Sequence, residues 1–244
     1  MLILSVAIPI LLLAGLFGRS DKLLAFWSLI WSRAILWLAG VHLTVSGTAY
    51  ADGTPSFFVG NHLGAIDIPV LFVALRGHVR FMAKDSLFKI PLFGWALSQY
   101  GFVRIDRAHP RKALLALQRM LQDLRRNPVS FAVFPEGTRS HDGNLLPFRR
   151  GTLKICRDSG LPIVPFSIQG TNSIYVRGRV RITPGPVHIT FGAPIPADQA
   201  ASMSAQDLVD RVRGEVKRQL GQSCSDDADS IEPAPSPALA TEGV

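Results

Sequence analysis

Hydrophobic and polar positions follow two different patterns along the chain after residue 40. Short apolar runs rich in β-branched and aromatic residues predict strands, and apolar residues repeated every three or four positions predict helices. The predicted strands cover residues 41–46, 56–60, 80–83, 101–105, 130–134, 163–168, 180–183 and 187–191. The predicted helices cover residues 68–75, 110–126, 151–158 and 204–220. Strands that alternate with helices are typical of an α/β fold with a mixed, largely parallel sheet flanked by helices.

Two of the predicted helices have recognisable ends. Pro110 suits the first turn of one helix, and the pair Asn127-Pro128 ends it, because proline cannot continue a helix. The helix over residues 68–75 has Asp67 as a candidate N-cap and Pro69 in its first turn.

Two segments precede this domain, and both are strongly apolar. Residues 1–18 carry no charge and lack the basic start of a secretory signal, so we expect a retained anchor. Residues 22–39 contain three tryptophans but also Arg33, which is costly at the centre of a bilayer. We expect this second helix to lie in or dip into the headgroup region. The alternative is a buried core helix with Arg33 paired. Together the two segments predict a membrane anchor of two helices over residues 1–40.

Charged residues are distributed unevenly between the main part of the chain and its C-terminal end. The net charge is +8, but residues 222–244 hold five acidic residues and no Lys or Arg, so that 26 basic residues face 13 acidic ones in residues 1–221. A basic body indicates an anionic partner: nucleic acid, an anionic membrane surface or a phosphorylated substrate. The apolar N-terminus favours the membrane and lipid options. We expect an α/β domain over residues 41–221 and a disordered, acidic, Pro-rich tail over residues 222–244.

The stretch NHLGAID, residues 61–67, raises the first chemical possibility. His62 and Asp67 would diverge on a single helix, but they can converge if His62 ends a strand and Asp67 starts the next helix. This arrangement puts an imidazole at the carboxyl end of a sheet, where open α/β folds place their sites. A carboxylate could then hold one ring nitrogen and leave the other free to take a proton. Taken alone, the histidine is more often structural and the aspartate more often a helix cap.

Cationic side chains follow three other predicted strands. Arg139 lies in FPEGTRS, residues 134–140, where it offers a planar fork for a phosphate. Arg104 lies in GFVRIDR, residues 101–107, and Lys84 lies in AKDSLFKIPLFG, residues 83–94. Each of them, taken alone, is more readily explained as part of a surface ion pair.

The ordered series NHLGAID, AKDSLFKIPLFG, GFVRIDR, FPEGTRS and IVPFSIQG resembles the glycerolipid acyltransferase family, in particular the 1-acyl-glycerol-3-phosphate acyltransferases. The resemblance covers about residues 59–170, and the combination of FPEGTRS with an H-x4-D pair is highly specific. It departs in one place, since the family commonly has a serine where this chain has Gly64. The departure puts a hydroxyl contribution at that position in doubt, but not the histidine–aspartate pair.

The resemblance implies a role for each matching residue. His62 would be the general base that deprotonates a glycerol hydroxyl, and Asp67 would orient its imidazole. A second group would bind the phosphate of the acceptor: Lys84, Arg104, Glu136, Gly137, Thr138 and Arg139. Val164 and Pro165 would line the acyl or donor site.

The implied reaction is direct transfer of an acyl group from acyl-CoA or acyl carrier protein to 1-acyl-glycerol-3-phosphate, which forms phosphatidic acid. The sequence has no G-x-S-x-G elbow, and Cys156 and Cys224 lie in no motif, so no covalent acyl-enzyme is indicated. We find no metal-ligand spacing and no nucleotide-phosphate loop, and we expect no cofactor. The resemblance implies a protein at the cell membrane with its catalytic domain on the cytoplasmic face.

Three alternatives stay open on the sequence. The acceptor could be another lyso-lipid, such as a lyso-ornithine lipid, in which case Arg139 and Lys84 would contribute less to binding. The chain could instead be a non-catalytic basic scaffold at a membrane surface or a nucleic-acid binder, and this interpretation predicts no dependence on His62. A lipid hydrolase is disfavoured because the nucleophile elbow is missing.

Overall fold

The computed structural model describes residues 21–47, 53–91, 93–106, 109–140, 142–175 and 182–222. The strands in these residues are β1 (Val41–Ser46), β2 (Phe57–Gly60), β3 (Arg80–Lys84), β4 (Val103–Ile105), β5 (Phe131–Val133), β6 (Ile163–Gln169) and β7 (Gly185–Phe191). The longer helices are α1 (Asp21–Leu38), α2 (Asp67–Ala74), α5 (Pro110–Arg126), α6 (Arg150–Asp158) and α9 (Ala205–Leu220). The shorter ones are α3 (Asp85–Phe88), α4 (Phe93–Gln99), α7 (Thr171–Ile174) and α8 (Ala197–Ser202).

The seven strands form one sheet in the order β1-β7-β6-β2-β5-β3-β4. Neighbouring strands are parallel except for β6 and β7, which are antiparallel. The predicted mixed, largely parallel sheet is therefore confirmed. Strands β6, β2, β5, β3 and β4 run in the same direction, so their carboxyl ends meet at one edge of the sheet.

Helices cover both faces of the sheet, and the central strand β2 is buried on both sides. Phe58 belongs to a core that also includes side chains of α1 and α2. Phe57 and Val59 point the other way, into a core shared with α5, α6 and α9. A strand buried on both faces must be apolar throughout, which explains why the run Phe57–Gly60 shows no polar alternation.

The predicted two-helix membrane anchor is wrong. Within the part of the chain that the structure describes, no helix combines the length and the apolar character needed to cross a membrane. The second predicted segment is α1, whose inner face, including Ile35 and Leu36, packs into the core beside α2. The apolar side chains on one side of α1 therefore pack against the rest of the protein, while Lys22 and Arg33 are exposed on the other side. The first predicted segment, residues 1–18, lies outside the described residues.

Other differences from the predicted elements are local. The short helices α3, α4, α7 and α8 were not predicted, because four to seven residues are too few to show a helical period. The helix α2 begins at Asp67, and its N-cap is Ile66, so Asp67 is not the cap. Residues 180 and 181, half of the predicted strand over residues 180–183, lie outside the described residues. Ile182, at its described end, forms an isolated bridge with Tyr175.

Candidate functional site

The loop that follows β2 is fixed to the neighbouring strand β6. The side chain of Asn61 is buried and forms two hydrogen bonds with the main chain of Ile168: Nδ2 donates to its oxygen at 2.9 Å, and Oδ1 accepts from its nitrogen at 2.7 Å. Asn61 thus continues the sheet with its side chain where the main chain turns away. The next residue, His62, is held at the carboxyl edge of the sheet as a consequence.

His62 and Asp67 meet as the sequence predicted. The Nδ1 atom of His62 lies 2.6 Å from Oδ2 of Asp67. The carboxylate is fully buried, whereas 17% of the imidazole surface is exposed. One side of the ring therefore faces protein and the other is accessible to a reactant.

Asp67 is surrounded by donors. Its Oδ2 accepts hydrogen bonds from the main-chain nitrogens of Leu63 at 2.7 Å and Gly64 at 2.9 Å, in addition to the contact with His62. Its Oδ1 accepts a hydrogen bond from the hydroxyl of Thr171 at 2.5 Å. Because this oxygen already accepts from two main-chain N–H groups, Nδ1 of His62 is the donor in the third contact. Nε2 of His62 is then the ring nitrogen left for a reactant.

The loop that follows β5 encloses the imidazole from a second side. The ring of Phe134 stacks on the ring of His62, with centroids 4.1 Å apart and planes inclined by 16°. At the other end of FPEGTRS, the main-chain nitrogen of Ser140 donates to the oxygen of His62 at 2.8 Å. The two motifs are therefore joined directly, and the imidazole has little freedom to turn.

Glu136 of the same loop points inward. The residue is only 4% exposed, and among the described residues neither carboxyl oxygen has a hydrogen-bond partner. Burial raises the pKa of Glu136 from its ordinary value of 4.5 to about 8, against the opposing effect of the main chain of His62 and with a further contribution from Asp67. A buried carboxyl group cannot reach a phosphate in solvent, so we infer that Glu136 stabilises the loop after β5 rather than binding the substrate.

The cations of the predicted phosphate set differ in their surroundings. Arg139 and Thr138 are exposed on the loop after β5, and Lys84 is exposed at the end of β3. Arg104 is also exposed, but its Nε lies 3.4 Å from Oδ1 of Asp85, and its guanidinium carbon lies 4.7 Å from the centre of the Phe88 ring. Arg139 and Lys84 are therefore the more available cations of the set.

Val164 and Pro165 lie on β6, opposite Phe58 and Val59 of β2. Val164 has no exposed surface and belongs to the core beneath α2. Pro165 lines a half-open cleft of about 240 Å³ against α9. The direct role in acyl binding implied for these two residues stays a prediction, and the burial of Val164 shows that it supports the core.

A reactive thiol and a metal site are both missing from the described residues. Cys156 is fully buried in α6, and burial raises the pKa of its thiol, which leaves it unreactive. No group of three or more His, Cys, Asp or Glu side chains in the described ranges is arranged to hold a metal ion.

Two residues beside the site were not predicted from the sequence. Thr171 contacts Asp67 from the start of α7, and Arg149 packs against Gly137 from the start of α6. Thr171 lies directly after IVPFSIQG, residues 163–170, which was the available signal. Arg149 lies outside every recognised motif, so only the structure connects it with the site.

Comparison with known proteins gives relatives and a structural neighbour. A 1-acyl-sn-glycerol-3-phosphate acyltransferase of Cocos nucifera is 30% identical over 166 residues, which are 68% of this chain and 54% of that protein. The enzyme of the same name from Limnanthes douglasii is 30% identical over 190 residues, 78% of this chain and 67% of that protein. The chain therefore spans between half and two thirds of the length of these relatives.

A solved structure extends the similarity over nearly the whole chain. The crystal structure of the 1-acyl-sn-glycerophosphate acyltransferase PlsC from Thermotoga maritima matches with a TM-score of 0.77 and 28% identity, over 92% of this chain and 94% of that one. The family model described as Acyltransferase matches residues 42–169, which include β1 to β6 and every residue of the site between Asn61 and Pro165. With this match and the agreement in fold, the chain belongs to the acyltransferase family.

Proposed function

We propose that the chain transfers a fatty acyl group from acyl-CoA or acyl carrier protein to the free sn-2 hydroxyl of 1-acyl-glycerol-3-phosphate, forming phosphatidic acid. The observation that carries the proposal is the contact of 2.6 Å between Nδ1 of His62 and the buried carboxylate of Asp67. This contact favours the tautomer in which Nε2 can accept a proton. The names of the relatives support the same acceptor.

The chemical step follows from this tautomer. Nε2 of His62 takes the proton of the acceptor hydroxyl as its oxygen attacks the thioester carbonyl. The new bond joins that oxygen to the acyl carbon, the carbon–sulfur bond breaks, and the proton passes to the departing thiolate. Asp67 stabilises the imidazolium between these events, as a carboxylate does for the histidine in other acyl-transfer enzymes.

Two features support direct transfer without a covalent acyl-enzyme. Cys156 is buried and its thiol is held protonated, so it cannot attack a thioester. If the phosphate of the acceptor is bound nearby, the acceptor hydroxyl can attack the thioester carbonyl directly, without a protein nucleophile. Positioning of this kind can supply roughly 7–11 kcal/mol of a barrier. The proposed transfer requires no resident cofactor.

The phosphate of the acceptor is bound by exposed cations at the same sheet edge. Arg139 lies one residue before Ser140, whose main-chain nitrogen donates to His62. Lys84 ends β3, and β3 is paired with β5. Both cations therefore follow strands of the edge that holds His62, which supports binding of a glycerol phosphate there with its neighbouring hydroxyl at Nε2.

The protein acts at a lipid surface, which it contacts through α1. Five exposed residues of α1 recur at helical spacing on the side opposite the core: Lys22, Phe26, Ile30, Arg33 and Trp37. Leu38, at the end of the helix, is also exposed. Phe26 is 54% and Trp37 is 80% exposed, and their apolar area is flanked by cations. This outer stripe suits the headgroup region of an anionic membrane. The catalytic domain faces the cytoplasm, where acyl thioesters are formed.

The experiment that tests the proposal offers the purified chain a set of acceptors. Lysophosphatidate and a lyso-ornithine lipid are supplied separately with acyl-CoA, and the lipid products are identified by mass while free thiol is measured. We expect phosphatidate and an equal amount of thiol from lysophosphatidate. Acylation of the phosphate-free lipid alone would refute the acceptor assignment. Absence of thiol release with every acceptor and with acyl carrier protein as donor would refute the enzymatic proposal.

A further inference from the structure

Arg149 packs against the loop that encloses His62. A methyl group built on Gly137 would lie 2.7 Å from both Nε and Cζ of Arg149 and 3.0 Å from its Nη2. The main-chain nitrogen of Arg149 also donates to the oxygen of Pro135 at 3.0 Å. Arg149 therefore contacts the loop twice. Its guanidinium packs against the main chain of Gly137, and its main-chain nitrogen bonds to Pro135.

The position of this guanidinium relative to the imidazole follows from the loop. Gly137 lies midway between Phe134, whose ring stacks on His62, and Ser140, whose main-chain nitrogen donates to His62. The nitrogen of Gly137 itself donates to the oxygen of Phe134 at 3.1 Å, which keeps the turn tight. Arg149 thus contacts the middle of a short loop whose two ends both touch His62.

The charges around Arg149 are not balanced by protein. Arg149 and Arg139 are both exposed, and among the described residues neither has a carboxylate within ion-pair distance. Glu136, the acid of the loop after β5, is buried, and the carboxylate of Asp142 accepts hydrogen bonds from Ser140 and Asn144. Two guanidiniums without an ion-pair partner among the described residues, one on the loop after β5 and one packed against it, suit a dianion, because each offers a planar pair of N–H donors to phosphate oxygens.

From this geometry, and on the basis of the proposed function, we infer that Arg149 binds the phosphate monoester of a substrate together with Arg139. Two substrates carry such a group: the acceptor lysophosphatidate, and coenzyme A in its 3′-phosphate. The loop favours the acceptor, since its phosphorus is separated from the reacting hydroxyl oxygen by only two carbons and one oxygen. Arg149 is then a binding residue whose loss weakens substrate affinity and leaves the chemical step intact.

The test compares Arg149→Gln and Arg149→Lys with the wild-type chain in vesicles of phosphatidylcholine that contain lysophosphatidate. KM for the acceptor is measured at saturating acyl-CoA, KM for acyl-CoA at saturating acceptor, and both are repeated with acyl carrier protein, which has no phosphate monoester. Arg126→Gln is the matched control, because Arg126 is exposed at the end of α5, at the opposite edge of the sheet.

We expect Arg149→Gln to raise the KM for the acceptor roughly 10- to 100-fold with either donor, with kcat changed less than about threefold. Arg149→Lys, which keeps the charge but loses the planar fork, gives an intermediate value, and Arg126→Gln matches the wild type. An increase confined to the KM for acyl-CoA, absent with acyl carrier protein, assigns Arg149 to the phosphate of coenzyme A. Unchanged KM values for both substrates, or a loss confined to kcat, overturn the inference.

A binding measurement separates this inference from the proposed function. Glycerol 3-phosphate is titrated into the wild-type chain and into folded Arg149→Lys and Arg149→Gln proteins, and the heat of binding is recorded. Weaker binding by the variants supports a phosphate site at Arg149 even if wild-type turnover shows that another lipid is the acceptor. Equal binding by all three proteins overturns the site, even if the wild-type chain forms phosphatidate.

Discussion

The hydroxyl of Thr171 donates a hydrogen bond of 2.5 Å to Oδ1 of Asp67, across 104 residues of sequence. Both side chains are fully buried. The bond connects the first residue of α7, after β6, with the first residue of α2, after β2. Because the other carboxylate oxygen contacts His62, the orientation of the imidazole depends on an element that lies just beyond the matched region.

Removal of the Thr171 hydroxyl should therefore impair catalysis without affecting substrate binding. In Thr171→Val the shape is kept, but Oδ1 of Asp67 loses a donor in a buried position, which costs about 1–3 kcal/mol. We expect kcat to fall roughly tenfold or more with unchanged KM for both substrates, and Thr171→Ser to retain most of the wild-type kcat. Equal kcat for the Val and Ser variants would show that the hydroxyl does not orient Asp67.

A side chain at Gly137 should disrupt the site for two independent reasons. Its φ of +71° costs a non-glycine residue about 1–2 kcal/mol, and a methyl group there would displace the guanidinium of Arg149. We expect Gly137→Ala to lower both the thermal midpoint and kcat/KM. Gly214→Ala is the control, because nothing lies within 4 Å of a methyl group at that position of α9 and alanine favours helix. A Gly137→Ala protein with wild-type activity would contradict the described loop.

The buried carboxyl group of Glu136 should make stability depend on pH. Its pKa is raised to about 8 in the folded chain, so between pH 4.5 and 8 the folded state keeps a proton that the unfolded state has lost. Stability from this group therefore decreases as the pH rises through that range and is constant above it. We expect the free energy of unfolding to change by roughly 2 kcal/mol over this range, which is less than the full pKa shift would give because solvent screens part of the charge.

Glu136→Gln removes this titration, and urea unfolding at pH 5 and pH 8 measures the change. We expect the free energy of unfolding of the variant to fall less than that of the wild type between the two pH values. Asp123→Asn, which removes an exposed carboxyl group on α5, serves as the control. The same pH dependence in Glu136→Gln and wild type would show that Glu136 is already ionised at pH 5.

The sequence predicted the sheet and the paired side chains because both leave a local signal. The strand Val41–Ser46 and the helix Pro110–Arg126 have the bounds that periodicity and proline indicated. His62 and Asp67 lie five positions apart, on either side of a strand-to-helix turn, so their contact could be inferred from local geometry.

Features that depend on distant contacts could not be predicted in this way. The bond from Thr171 to Asp67 and the packing of Arg149 on Gly137 join segments that are separate in sequence. Helix α1 was expected to be part of an anchor because its composition is apolar, but one face of it packs into the core. Composition alone does not show whether protein or lipid covers an apolar helix face.

The outer stripe of α1 should determine binding to vesicles. Replacement of Phe26 and Trp37 by serine removes the large exposed side chains, each worth about 1.5–3 kcal/mol when buried. We expect the double variant to co-sediment with anionic vesicles roughly tenfold less well than the wild type, with an unchanged thermal midpoint. Leu115→Ser on α5 is the control, since Leu115 is 53% exposed on the other side of the sheet. If the control and the double variant lost vesicle binding equally, a specific role of the outer stripe of α1 would be refuted.

Acyl transfer by the His62→Ala protein measures the central claim most directly. Vesicles with lysophosphatidate and acyl-CoA are incubated with wild-type or variant chain, and phosphatidate is quantified by mass. If Nε2 of His62 removes the proton from the acceptor hydroxyl, the variant should form product roughly 10²–10⁴-fold more slowly, while it keeps its fold and its affinity for glycerol 3-phosphate. Phosphatidate formed by folded His62→Ala at the wild-type rate would contradict the account.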